Sequence, residues 1–427
     1  LSDIAEINPR RPIKKGEVTP FIDMAALPIH SRDVDGNIPS REYKAGGSKF
    51  RNGDTLVARI TPCLENGKTA FVNCLPDNTV AHGSTEFIVL APRSKHDAVF
   101  VYYLARSGAF RDYAIARMEG TSGRQRVPNS AVASYKFPCP PTDQRVGIGK
   151  LLSSLDDRIT LLRETNKTLE DIAQAIFKSW FVDFDPVRAK MEGRQPEGMD
   201  GETAELFPGS FEESELGVIP SGWNVVTIQG VCDTISNGST PSRSKEEYWN
   251  FGTIPWVKTG ELADGFLISS AEQITEKALV ETSVKLLPEN SILMAIYAAP
   301  TVGRLGVLTQ PATFNQACTG LVAKKHVGTW FLFWTLFFAR GWFNSRANGA
   351  AQQNISKKIV ENFELVLPSS QALSAFGEVS SRLHEKIRAN TETISTLSSL
   401  RDTLLPRLIS GQLRLPEAQE ITEAVLS

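Results

Sequence analysis

Long apolar runs, paired cysteines and clustered histidines are what this 427-residue chain has least of. Its longest apolar stretch, Trp330 to Ala339, falls well short of the ~20 residues that a membrane span needs. The stretch therefore reads as a buried helix, and no membrane association is expected. Cys63, Cys74, Cys139, Cys232 and Cys318 lie far apart with no Cys-x-x-Cys pair, which points to reduced thiols in a cytoplasm. His30, His82, His96, His326 and His384 show no metal-ligand spacing, so no metal is expected. No secretory leader is visible, and a cytoplasmic location is expected.

Reactive motifs are missing too. Gly67-Lys68-Thr69 looks like the end of a phosphate-binding loop, but Pro62 stands where the loop's first glycine belongs. Pro76-Asp77 could open a nuclease carboxylate set, yet Glu86-Phe87-Ile88 lacks the lysine that should follow. No glycine-rich adenosylmethionine loop follows a strand, and no Asn-Pro-Pro or Asp-Pro-Pro precedes an aromatic. No cofactor is expected.

Net charge is also small, at −2, but it is unevenly spread. Residues 1–135 hold 18 Lys and Arg against 14 Asp and Glu, and residues 223–362 hold 12 against 10. Residues 183–222 hold 3 against 10, so an acidic stretch masks two mildly basic ones. Such weak positive balances are compatible with DNA and equally with ordinary solvation.

What the chain does have is a repeat. Leu151 to Ile159 recurs as Val379 to Ile387, 228 positions on, and Pro140 and Leu169 recur as Pro368 and Leu397 at the same offset. In the first copy Ile148, Leu152, Leu155, Ile159, Leu162, Asn166, Leu169, Ala173, Ile176 and Trp180 alternate in steps of four and three. In the second the positions are Phe376, Ser380, Leu383, Ile387, Asn390, Ile394, Leu397, Arg401, Leu404 and Leu408. A 3.5-residue period marks a coiled-coil seam, and each helix is the other's best partner. Asn166 and Asn390 interrupt the seam where the repeat has Ile394 and Leu162. Each either fixes register or sits where the seam opens to water.

The rest of the chain is doubled as well. Residues 1–141 are strand-rich, with runs at Thr55–Ile60, Thr69–Val72 and Glu86–Leu90, then a helical segment over 98–117. Pro138, Pro140 and Pro141 close this unit, and Thr142 is placed to cap a helix that Pro186 stops. Residues 187–217, rich in Gly, Glu and Pro, are expected to form an exposed, largely irregular crossing. The strand Ser291–Ile296 and the turn Gly303-Arg304 match Thr55–Ile60 and Gly67-Lys68 at an offset of 236. Ser370 is expected to cap the second helix, and Gly411 to end it. The expected fold is α+β: two similar mixed, strand-rich domains separated by a pair of long antiparallel coiled-coil helices, pseudo-two-fold symmetric. The boundaries are 1–141, 142–185 for the first helix, 186–217 for a linker, 218–368, 369–411 for the second helix, and 412–427 for a tail.

Phe137-Pro138-Cys139-Pro140-Pro141-Thr142-Asp143-Gln144, Ser214 to Trp223, Gln125 and Gln353, and the ending Leu404-Leu405-Pro406-Arg407-Leu408-Ile409-Ser410-Gly411 lie within this doubled layout. Together they resemble the specificity subunit of Type I restriction–modification systems. The second copy departs at Pro368-Ser369-Ser370-Gln371, where the double proline is missing and the Gln sits one place early. The resemblance implies a non-catalytic reader of double-stranded DNA. Each strand-rich domain would be a target-recognition domain for half of a split site, and the helices would set the gap. Two methyltransferase subunits would dock on the helices and restriction subunits would join through them, so adenine methylation and ATP-driven cleavage would belong to partners. The missing reactive motifs fit such a role. Two other readings stay open: a DNA-binding protein that acts alone, and a structural coiled-coil adaptor.

Base edges are read by two-pronged Arg, Lys, Asn and Gln side chains on loops. In the first unit these point to Arg59, Asn66, Lys68, Arg117, Arg124 and Arg126. In the second the comparable places hold Tyr297, Arg304, Asn315, Gln316, Arg346, Gln352 and Asn354. Each could instead be a solvated or turn-stabilising residue. Because both helices descend from one pattern, a half-chain ending near Gly217 is expected to pair with itself.

Overall fold

The computed structural model describes residues 1–34, 37–121, 123–297, 301–347 and 354–426. Its contacts divide the chain into two units, Leu1–Arg163 with Thr393–Ser427, and Glu164–Glu392.

In the first unit the strands are β1 (Ala5–Ile7), β2 (Val18–Ile22), β3 (Ser40–Glu42), β4 (Ser48–Phe50), β5 (Thr55–Ala58), β6 (Thr69–Phe71), β7 (Ala81–Gly83) and β8 (Phe87–Pro92). They form two sheets, ordered β1-β8-β5-β6 and β3-β2-β7-β4, and β2 runs parallel to β7. Strand alternation decides what each residue buries. Leu56 packs with Ile22, Phe50 and Val89, whereas its neighbour Val57 packs with Phe100, Val101 and Tyr103 of the following helix. That helix is two pieces, Ala98–Arg106 and Gly108–Ile115, where the pattern suggested one. Ser107 breaks it: its backbone is extended, and its hydroxyl accepts from the Phe110 N–H.

The second unit adds β9 (Phe211–Ser214), β10 (Gly217–Pro220), β11 (Asn224–Thr227), β12 (Cys232–Asn237), β13 (Ile254–Val257), β14 (Gly265–Leu267), β15 (Gln273–Ile274), β16 (Ile292–Ala295), β17 (Leu305–Leu308), β18 (Thr313–Phe314), β19 (Cys318–Ala323) and β20 (Glu364–Leu367). Its main sheet is ordered β12-β19-β16-β17-β14, and a smaller one β15-β13-β18 has β13 parallel to β18. The first four strands of the main sheet thus repeat β1-β8-β5-β6, and the parallel β13–β18 pair repeats β2–β7. The apolar run falls in the helix Thr329–Phe338, which buries Phe331, Leu332, Phe333, Trp334 and Leu336.

The strand match differs from the expected offset by one. Leu293 packs with Val257 and Phe314 as Leu56 packs with Ile22, and Met294 takes the face of Val57. Those strands therefore align at 237, while Gly67 and Gly303, both at positive φ, align at 236. A slip of one residue would turn every side chain to the wrong face, so the connecting turn is one residue shorter in the second unit.

Two 40-residue helices, Thr142–Phe181 and Ser370–Ile409, each belong partly to both units. In the first unit Ile148, Leu152, Leu155, Ile159 and Leu162 join Leu397, Leu404 and Leu408 in one core, and Ile394 packs half-buried against it. In the second, Phe177 and Phe181 meet Phe376 with ring centroids 5.7 and 5.2 Å apart. There Ile387 and Asn390 are buried, and Leu169 and Leu383 are half-buried.

Several local expectations shift. The hydroxyl of Thr142 accepts from the Arg145 guanidinium rather than from a helix N–H. The second helix is capped by Ser369, whose hydroxyl accepts from the Ala372 N–H at 3.2 Å, not by Ser370. The first helix ends at Phe181, ahead of a left-handed Phe184, and Pro186 opens the next helix, Asp185–Met191. Residues 187–217 are mostly exposed, as expected, but only about half of them are irregular. They contain the end of that helix, the short helix Gly201–Glu205 and strand β9, which pairs with β10. Val187, Met199 and Phe207 are buried with Phe177, Phe181 and Trp223, so a few well-spaced apolar residues order an otherwise polar segment. The tail likewise carries a helix, Leu415–Leu426, with Ala418 in the core of the first unit.

Candidate nucleic-acid interface

The sequence candidates separate into exposed groups and groups already engaged. In the first unit Arg126 is held by Glu86, with nitrogen–oxygen distances of 2.7–3.0 Å, and this contact pulls the Glu86 carboxyl below its usual range. Arg59 donates to the Val127 carbonyl at 3.1 Å, and its Nε is buried with no partner among the described residues. Lys68 donates to the Met24 carbonyl at 2.8 Å. Asn66, Arg117 and Arg124 are exposed.

The second unit offers a comparable set. Tyr297, Gln316 and Arg346 are exposed, and Arg304, Asn315 and Asn354 are half-buried. Gln316 accepts from the Thr240 hydroxyl, and the Asn315 side-chain oxygen is buried without a partner among the described residues. Gln352 and Gln353 lie outside the described residues.

One arrangement recurs. Arg117 lies 3.6 Å from the centre of the Tyr113 ring and donates to the Tyr113 carbonyl at 3.2 Å. Arg346 lies 3.6 Å from the Trp342 ring and donates to the Trp342 carbonyl at 3.5 Å. Stacking on an aromatic flattens the guanidinium against the surface without consuming all of its donors. Each unit therefore presents a ring-supported, exposed arginine just past a short helix, with several N–H groups left for an acceptor.

Sequence reasoning missed a concave basic surface of about 620 Å3 in the first unit, lined by Asn8, Pro9, Arg10, Arg11, Pro12, Gly47, Ser48, Lys49 and Val89. Arg11 is tied to the buried Asp54 there, while Arg10 is exposed. The paired basics Arg10-Arg11 and Lys14-Lys15 were the available signal. It also missed Arg243, which lies 3.7 Å from the Trp249 ring and 4.8 Å from the Trp256 ring.

Among the described residues no group of three His, Cys, Asp or Glu could hold a metal, and no helix is long and apolar enough to cross a membrane. What the two units share is a repeated sheet with exposed polar and basic side chains on its loops, the equipment of a protein that recognises.

The family model described as "Type I restriction modification DNA specificity domain" matches residues 1–171 and 220–397. The chain is 28% identical over 421 residues to the Type I restriction enzyme HindI specificity subunit of Haemophilus influenzae, covering 88% of this chain and 89% of that one. It is 26% identical over 334 residues to the MjaIX specificity subunit of Methanocaldococcus jannaschii, covering 77% and 72%. A solved Type I restriction–modification S subunit from M. genitalium shares the fold, with a TM-score of 0.56 at 15% identity over 96% of this chain and 94% of that one.

The chain belongs to the family of Type I restriction–modification DNA specificity domains. It is a non-catalytic specificity subunit, and DNA recognition is its work.

Proposed function

We propose that the chain reads a split DNA site with two target-recognition domains, 1–141 and 218–368, one for each half-sequence. The observation that carries this reading is the shared strand order of the two units, β1-β8-β5-β6 and β12-β19-β16-β17. A duplicated reader calls for a duplicated target. The helices 142–185 and 369–411 act as an antiparallel coiled-coil spacer that relates the two readers by a pseudo-two-fold axis. Residues 186–217 connect the halves, and 412–427 closes the chain against the first unit.

The exposed Asn66, Arg117, Arg124, Tyr297, Gln316 and Arg346 make the DNA contacts, joined by Arg304, Asn354 and Gln352. Arg59, Lys68, Arg126 and Asn315 shape the loops from which those groups project, because their own polar atoms are engaged or buried. The chain works in the cytoplasm with two methyltransferase subunits, and with restriction subunits that join through them.

Local charge balances this small give little electrostatic attraction to a polyanion. The chain alone should therefore bind DNA weakly, and addition of its methyltransferase partner should produce tight, sequence-specific binding. Fluorescence anisotropy on labelled duplexes at physiological salt tests this. Nanomolar specific binding by the isolated chain would overturn it.

A further inference from the structure

The helix repeat predicts that either long helix could pair with a second copy of itself. Two buried polar contacts argue otherwise. In the first unit the Arg401 guanidinium donates to Asp156, and both side chains are almost fully buried. Asp156 also accepts from the Tyr103 hydroxyl at 2.6 Å, and Arg401 Nε donates to Asp402 at 2.9 Å. In the second unit Asn390 Nδ2 donates to Asn166 Oδ1 at 2.8 Å, and Asn166 Nδ2 donates to the Thr391 hydroxyl at 3.1 Å. Both asparagines are buried.

Each contact joins residues that are not equivalent in the repeat. Subtracting the 228-residue offset from Arg401 gives Ala173, and from Asn390 gives Leu162. A first helix paired with its own copy would therefore set Asp156 against Ala173 and Asn166 against Leu162. Adding the offset to Asp156 and Asn166 gives His384 and Ile394, so a self-paired second helix would set Arg401 against His384 and Asn390 against Ile394. Every self-pairing removes the cross-helix partner of a buried charge or amide, while the apolar seam positions tolerate either arrangement.

We propose that Asp156–Arg401 and Asn166–Asn390 are pairing selectors. They make the first long helix take the second helix of the same chain as its partner, and they exclude a second copy of itself. The energetic logic is that of disfavouring the alternative. A buried ion pair adds little stability compared with apolar residues of similar volume, but leaving one member alone is strongly destabilising. A seam asparagine likewise fixes register at a cost in stability. Neither contact is needed to hold the helices together; both decide which helices come together.

The test uses the full-length chain, co-expressed in two differently tagged forms, with mixed-tag capture and molar mass by light scattering as readouts. Wild type should be monomeric and give negligible mixed capture. Arg401→Leu alone should lower the folding equilibrium constant by about a hundredfold or more, since it removes the counter-charge of the buried Asp156. Adding Asp156→Leu, Asn166→Ile and Asn390→Leu should restore stability yet raise mixed capture well above wild type, in proportion to concentration. A second variant, Asn166→Ile with Asn390→Leu alone, keeps the ion pair and uses residues the chain already carries at the equivalent positions. It should give intermediate capture, and it covers the case in which the fourfold variant fails to fold. Stable variants that remain as strictly monomeric as wild type would overturn the proposal, as would free mixing of wild-type chains.

Discussion

Acidification should weaken the second unit through one residue, His384. Its ring stacks on Trp330, with centroids 3.4 Å apart and planes 15° from parallel, and Trp334 lies 6.0 Å away. Nδ1–H donates to the Ser380 carbonyl at 2.7 Å, which places the neutral ring's proton on that nitrogen. Burial lowers the pKa from 6.5 to about 4, outweighing the Ser380 hydrogen bond, which acts the other way. The charged side chains lining the adjoining clefts are Glu385 and Arg388 on one side, and Glu170, Asp171 and Asp264 on the other. A base with a depressed folded-state pKa binds its proton more readily when unfolded. Stability from this group is therefore complete above pH 6.5 and drains away as the pH falls toward 4. A shift of that size corresponds to about 3 kcal/mol.

The assay is urea unfolding followed by tryptophan fluorescence at several pH values, comparing wild type with His384→Gln. Carboxylates titrate in both proteins, so the difference between the two curves isolates the histidine. That difference should grow as the pH rises through the window, with the wild type gaining about 3 kcal/mol relative to the variant. Parallel curves, or a folded-state NMR titration of His384 near its ordinary value, would refute the reasoning.

Further outcomes follow from other parts of the chain. Phe207→Ala should cost about 3–5 kcal/mol, because the ring is buried in the core of the second unit; chemical denaturation checks this, and a neutral result would mean the segment is not packed. Arg117→Ala and Arg346→Ala should each weaken modification at one half-sequence while sparing the fold, as measured by methylation of test duplexes and circular dichroism. One heptad inserted after Thr165 and after Thr393 should lengthen each helix by ~10.5 Å and move the half-sites about three base pairs apart. Some affinity should be lost through the duplex's added twist, and methylation at the original spacing with full activity would contradict a helical ruler.

The elements legible in the sequence were those with a strict period or a sharp boundary. The 3.5-residue spacing located both long helices, and the Trp330–Ala339 run located a buried one. Composition understates the order in residues 187–217 because it averages over position: Val187, Met199 and Phe207 are few, yet each meets an aromatic core supplied from elsewhere in the unit. The Asn166–Asn390 contact was hidden because repeat alignment pairs equivalents, whereas these helices bring non-equivalent positions together. For the DNA candidates, residue type gave a list, but exposure could not be read from it. Arg126 and Arg117 look alike in sequence, and only structure places one against Glu86 and the other on Tyr113.

Methylome sequencing addresses the central claim most directly, in a host carrying this chain with its methyltransferase partner and in a matched host carrying the methyltransferase alone. A methylated motif of two short defined halves around an undefined gap should appear only when the chain is present. Exchanging one recognition domain for that of a relative should change one half and leave the other. A contiguous motif, a motif that persists without the chain, or a domain exchange that alters both halves would contradict recognition by two independent units.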